Sequence, residues 1–202
     1  GVRTPGHRTL CTDNQHSIAM GLLRYENEHQ SFPPAFLTND LGAASHSWRT
    51  MLLPYFDRRD LYAQIRWDVP WSDPSNARFR QLDHWYSHCP SDRGWRPGRT
   101  SYVAIVGPGF LFQGATPVAL TEIKDGTSET ILFVEATSTG IEWMEPRDLR
   151  WEEIGAKPQP LSGMSNHVGQ DVLVTFVDGH QRTLPSTISA AHLHALLTIA
   201  GA

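Results

Sequence analysis

The chain has 202 residues, 40% of them hydrophobic and 19% charged, and a formal net charge of −4. That length suits one domain over residues 1–202, large enough to bury roughly 70% of its unfolded surface without a metal staple. Its 17 Lys and Arg residues are scattered and build no basic stripe, so nucleic acid is excluded as the expected partner. No apolar run approaches the ~18 residues of a membrane span, and no signal peptide is present. With 14 Pro, 16 Gly and 7 Trp, long ordered loops pinned by aromatic rings are expected.

In chain order, a first helix is expected from near Thr9. Leu10, Ile18, Leu22 and Tyr25 share one stripe at helical spacing. Ser31-Phe32-Pro33-Pro34 halts it, because proline donates no hydrogen bond and keeps its predecessor out of the α region. Phe32 and Phe36 are expected to fold back onto the helix. A second helix is predicted over Ser47 to Ile65, capped by Ser45 or Ser47, with Trp48, Leu52, Tyr55 and Phe56 as its apolar face. Pro54 inside that run demands a kink or a break. A short helix should start at Asp73-Pro74 or Ser75.

From Thr100 the period changes. TSYVAIVG, ETILFVEA and VLVTFVDG are short β-branched and aromatic runs bounded by Gly, Pro and Asp, which reads as strands. Lys124-Asp125-Gly126-Thr127 marks a tight turn, and Asp178-Gly179 turns a hairpin into QRTL. Trp151 to Val168 reads as an irregular loop, and Ser186 to Ala200 as a closing helix. The expected product is α+β: helices first, then a mostly antiparallel sheet. Tight turns between adjacent strands argue against a βαβ nucleotide fold.

The segments CTDNQHSIAMGLLRYENEHQSFPP, HSWRTMLLPYFDRRDLYAQIRWDVPWSDPSN, CPSD, TSYVAIVGPG, IKDGTSETILFVEA, EWMEPRDL and VDGHQRTL occur in that order. On them the chain resembles the planctomycete family called domain of unknown function 1559, whose members look like type IV pilins and type II secretion pseudopilins. The resemblance implies export, a pilin-like headgroup, and a hydrophobic helix with a prepilin cleavage site upstream of Gly1. It also implies a spacing of His, nine residues, then Asp-Gly. Here ten residues separate His167 from Asp178, which suggests a bulge.

Two cysteines cannot make a Cys-only zinc site. Paired, Cys11 and Cys89 would close a loop of about 78 residues, worth roughly 4.5 kcal/mol in the chain-entropy model; the alternative is two buried thiols. Export, as the resemblance implies, favours the disulfide.

Other constellations have competing readings. Glu145, Asp148 and a nearby loop offer oxygens for calcium, but Arg147 and Arg150 interleave with them, and local salt bridging is the favoured reading. His84 and His88 would share a helical face beside Cys89, yet Pro90 argues for extended backbone there. His192 and His194 lie on different faces of a helix. Ser165-Asn166-His167 lacks the second glycine of a nucleophile elbow. Glu135 ends an apolar strand and, if buried, needs a partner; Arg49 and Arg147 are the candidates. Trp67, Trp71 and Trp95, with Trp85, Trp143 and Trp151, either stack sugar rings as an exposed platform or pin loops to a core.

The expected function is therefore an exported pilin- or pseudopilin-like structural subunit, extracytoplasmic and tethered to the membrane or displayed at the cell surface. Its partners would be pilin-like subunits or secretion machinery reached through the absent helix, and the chain by itself would be monomeric. No cofactor and no catalysis are expected, calcium being the one ion weighed. A glycan- or ligand-binding module is the second reading and a metal-dependent hydrolase around His167 and the acidic loop the third.

Overall fold

The computed structural model describes residues 5–84, 86–165, 167 and 171–201. Helix α1 runs Pro5–His29, one turn longer at its start than expected. Proline is well placed there, since the first turn has no acceptor for its missing N–H. The helix ends when Gln30 turns left-handed (φ 59°) and donates its N–H to Glu26 O at 2.7 Å. Phe32 is then fully buried, and its N–H donates to Val118 O at 2.8 Å.

A hairpin that the sequence did not announce follows: β1 (Phe36–Thr38) against β2 (Ala44–Ser47), with a register shift at Leu37/Thr38. Ser47 caps α2 (Trp48–Met51), its side chain accepting from Arg49 N at 3.2 Å. The run expected to be helical to Ile65, with a kink or break at Pro54, is broken there into three short pieces. A 3-10 turn at Leu53–Phe56 holds Pro54 near its start, Asp57 reverses the chain at φ 56°, and α3 is Arg59–Tyr62. Proline supplies no N–H and clashes with the preceding turn, so a break is the relaxed solution. Asp73 caps the next 3-10 turn, Pro74–Asn76, which leads into α4 (Ala77–Arg80).

The principal sheet has the order β3 (Tyr102–Val103), β5 (Ile131–Glu135), β7 (Val172–Phe176), β8 (Gln181–Leu184), with antiparallel neighbours throughout. A two-stranded parallel ribbon pairs β4 (Ile105–Val106) with β6 (Leu149–Arg150). Short helix α5 (Trp151–Ile154) opens the segment expected to be irregular, and α6 (Ala190–Ala195) is shorter than the expected closing helix. The predicted hairpin is present: Gly179 has φ 88°, and its N–H donates to Phe176 O at 2.9 Å. The fold is α+β.

Both faces of the sheet are covered, so β5 and β7 are buried at every residue and show no polar alternation. Leu173, Val177 and Phe133 join Ile18, Ala19 and Leu22 of α1 in one core. Val172, Val174 and Phe176 join Ile154, Leu161, Leu193 and Leu197 in a second, behind the sheet. A third cluster, with Leu53, Ile65, Phe79 and Trp143, lies under the tryptophan-rich segment. Polar groups fix the register of α1 on the sheet. Buried Gln15 donates to Leu173 O at 3.3 Å and accepts from Thr175 Oγ1 at 2.6 Å.

Candidate functional site

The most concentrated chemistry lies where α1, the Cys89-Pro90-Ser91-Asp92 segment and the end of β5 converge. Cys11 and Cys89 form a disulfide with Cα atoms 5.2 Å apart, within the range such bridges need. Cys11 projects from the buried stripe of α1. Cys89 is fixed through its N–H, which donates to Ser101 Oγ at 3.1 Å, and that hydroxyl donates to Asp92 Oδ2 at 2.9 Å. The strand pairing that sets Tyr102 opposite Glu135 brings the carboxylate beside the bridge.

His167 completes the group. Its Nε2 lies 3.5 Å from Cys89 Sγ, 3.1 Å from Glu135 Oε1 and 3.3 Å from Glu135 Oε2. The backbone at His167 is fixed beside the site, its main-chain N–H donating to Ser165 Oγ at 3.1 Å. All four residues are buried, and one ligand atom from each lies within 4.8 Å of every other. Glu135 Oε1 has no hydrogen-bond partner among the described residues. The Tyr102 hydroxyl is pushed well above its usual range, by burial first and by the neighbouring Glu135 charge second.

The expected pairing of Glu135 with an arginine is thus corrected: its partner is His167. Arg49 goes instead to Asp148, in a buried pair on the other side of β3. Asp148 also accepts from Trp48 Nε1 at 3.2 Å and from Ala104 N at 2.8 Å, while Arg49 Nε donates to Tyr102 O at 3.1 Å. Burial pushes the Asp148 carboxyl up to about 6, against the pull of Arg49 and these donors. Glu145 is taken by Arg147 Nε at 2.6 Å and by the N–H of Glu142 at 3.0 Å. The expected oxygen cluster for calcium is therefore not assembled from Glu145 and Asp148, because each carboxylate is already engaged by its own arginine.

Among the described residues, Trp67, Trp71 and Trp95 are each engaged by neighbouring side chains or backbone. Trp67 is half-buried, donates to Tyr62 O at 3.1 Å and packs on His46 and Tyr62. Trp71 lies under Arg80, and Trp95 stacks on His88 with ring centroids 4.2 Å apart. Trp143 is buried at 2% exposure. Each pins a different stretch of loop. Trp85 and Asn166 lie outside the described residues. His84 and His88 are not on a helix, and Cys89 beside them is oxidised. Asp178 serves the hairpin turn, accepting from His180 N at 3.0 Å.

Residues 3–163 match the family model described as protein of unknown function (DUF1559). The chain belongs to this family. Neither a curated protein nor a solved structure matches it. The matched span carries Cys11, Cys89 and Glu135 and ends just ahead of His167. Membership therefore leaves the chemistry of the four-residue group to be argued from its geometry.

Proposed function

We propose that the chain is the exported headgroup of a pilin-like structural subunit, held through a hydrophobic helix that continues α1 upstream. The observation that carries this reading is the course of α1. From Gly6 to Leu10 the helix is exposed or half-buried, Leu10 at 50%, and only from Cys11 onward does it sink into the core. A helix whose first turns are only partly covered, touching the body through Arg8, which donates to Thr183 Oγ1 at 2.7 Å, is suited to continue into a tether.

The disulfide sits where the helix meets the body, and such a bridge fits an oxidising, extracytoplasmic compartment. Among the described residues no helix is long and apolar enough to cross a membrane, so in this reading the anchoring segment precedes Pro5. Its partners would be pilin-like subunits or secretion machinery that engage the same helix. The mechanism is packing of that helix in a membrane or filament core, with the sheet and loops displayed outward.

Fractionation of cells expressing the full-length gene tests the proposal. The product should sediment with membranes, resist alkaline extraction, dissolve in detergent and carry an oxidised Cys11–Cys89 pair. A product found free in the cytosol with both thiols reduced would overturn it.

A further inference from the structure

The disulfide, the carboxylate and the imidazole form a set whose composition matches a transition-metal site. Two thiolates, one imidazole nitrogen and one carboxylate oxygen are zinc ligands, and zinc takes four of them tetrahedrally. With Zn–S near 2.3 Å and Zn–N and Zn–O near 2.0–2.2 Å, the edges of that tetrahedron are about 3.4 Å between N and O and about 3.6 Å between N and S. The contacts at His167 Nε2, 3.1 and 3.3 Å to Glu135 and 3.5 Å to Cys89 Sγ, already have nearly those lengths. Glu135 Oε1, fully buried, has His167 Nε2 at 3.1 Å but forms no aligned hydrogen bond among the described residues. Buried polar atoms are rarely left so unless something else is meant to engage them.

We propose that, with its disulfide opened, this cluster is a zinc site whose ligands are Cys11 Sγ, Cys89 Sγ, His167 Nε2 and Glu135 Oε1. In the oxidised chain the sulfurs are bonded to each other and offer no thiolate. A dithiol reductant breaks the S–S bond by exchange: two electrons and two protons pass to Cys11 and Cys89, and the reductant becomes a disulfide. Zinc then displaces the two thiol protons and is held by two thiolates, a carboxylate and a neutral imidazole. Two-electron oxidation by a disulfide reverses the sequence, re-forms the bridge and expels the ion. The metal and the bridge thus exclude each other. Three of the four ligands sit on the helix, the fixed Cys89 turn and an inner strand of the sheet, and the largest rearrangement expected is the parting of the two sulfurs. The inference is independent of the surface-subunit reading, which concerns where the chain is held.

Cobalt(II) serves as the optical probe. Wild-type protein reduced with a phosphine under anaerobic conditions should bind one Co²⁺ per chain, showing thiolate-to-cobalt charge transfer and tetrahedral d–d bands that zinc abolishes. The oxidised protein should show neither. Glu135→Gln and His167→Gln should each weaken binding by more than the roughly tenfold that losing a supporting contact costs. Far-UV circular dichroism is followed in parallel. Should the reduced chain unfold without metal, Co²⁺ is expected to restore the native spectrum together with the charge-transfer band. The proposal is overturned by a reduced, native chain without that band, by a reduced chain that metal fails to refold, by equal binding to the oxidised protein, or by affinity that survives both substitutions.

Discussion

Two buried carboxylate pairs flank β3, and they are built to different standards. Asp148 receives the Arg49 guanidinium, the Trp48 indole and the Ala104 amide, so its oxygens are satisfied. Glu135 meets one imidazole, and one of its oxygens forms no aligned hydrogen bond among the described residues. Both carboxylates have lost their water, and desolvation is repaid only when every lone pair finds a donor. The first pair is a finished latch, joining the tryptophan-rich segment to the sheet edge. The second is chemically incomplete beside a bond that can be opened. Completeness of hydrogen bonding, more than burial or charge, separates the two pairs.

The largest expected effect tests the incomplete side. Replacing both cysteines, Cys11→Ser with Cys89→Ser, should lower the unfolding free energy by about 4.5 kcal/mol, read as an earlier urea midpoint. A loss below about 1 kcal/mol would mean that the bridge constrains little of the unfolded chain. On the finished side, Asp148→Ala strands a buried guanidinium and should cost about 4 kcal/mol. Adding Arg49→Met to that variant should return part of the loss, since the uncompensated charge is then gone.

His84 extends the comparison to a third buried group, 2% exposed, whose Nε2 lacks a hydrogen-bond partner among the described residues. Burial, aided by Arg58, lowers its pKa from 6.5 to about 4. The unfolded chain takes up a proton near pH 6.5 and the folded chain only near 4, so stability is retained above 6.5 and falls as the pH drops between those values. The integrated loss is about 3 kcal/mol. His84→Phe, which keeps an aromatic ring against Tyr86 and Trp143, should flatten denaturation midpoints over that window; an unchanged slope would refute the assignment. The smallest effect is expected at Glu135→Gln, within about 1 kcal/mol of wild type, because an amide can still meet His167 and no charge remains to be compensated. A loss as large as that of Asp148→Ala would erase the distinction between the pairs.

What the sequence made legible was local. The α1 stripe, the Pro33-Pro34 stop, the β5 and β7 runs and the Asp178-Gly179 turn each carry their signal within a few residues. The β1–β2 hairpin, strand β6 and the division of the TSYVAIVG run into β3 and β4 did not, because strands of two to four residues are too short to show a period and owe their existence to distant partners. At the site, Glu135 was identifiable as a buried acid, since it closes an apolar strand. Its partner was misassigned because charge alone favoured an arginine, while His167 lies 32 residues away and arrives only through tertiary packing. Arg49 was unavailable for a reason no pattern carries: Asp148 reaches it across 99 residues of chain. The link between Cys11 and Cys89 could be stated as a possibility, but not its position against Glu135.

One mechanical consequence follows from where the bridge stands. Cys11 is the first buried side chain that α1 presents after Gly6, ahead of Asn14, Gln15 and Ile18, which seat the helix on the sheet. Traction on the exposed turns therefore meets the Arg8–Thr183 hydrogen bond and then a covalent bond, before it reaches the packed interface. The load divides between the spiral and the Cys89 segment, so the body is sheared as a block instead of being unzipped turn by turn.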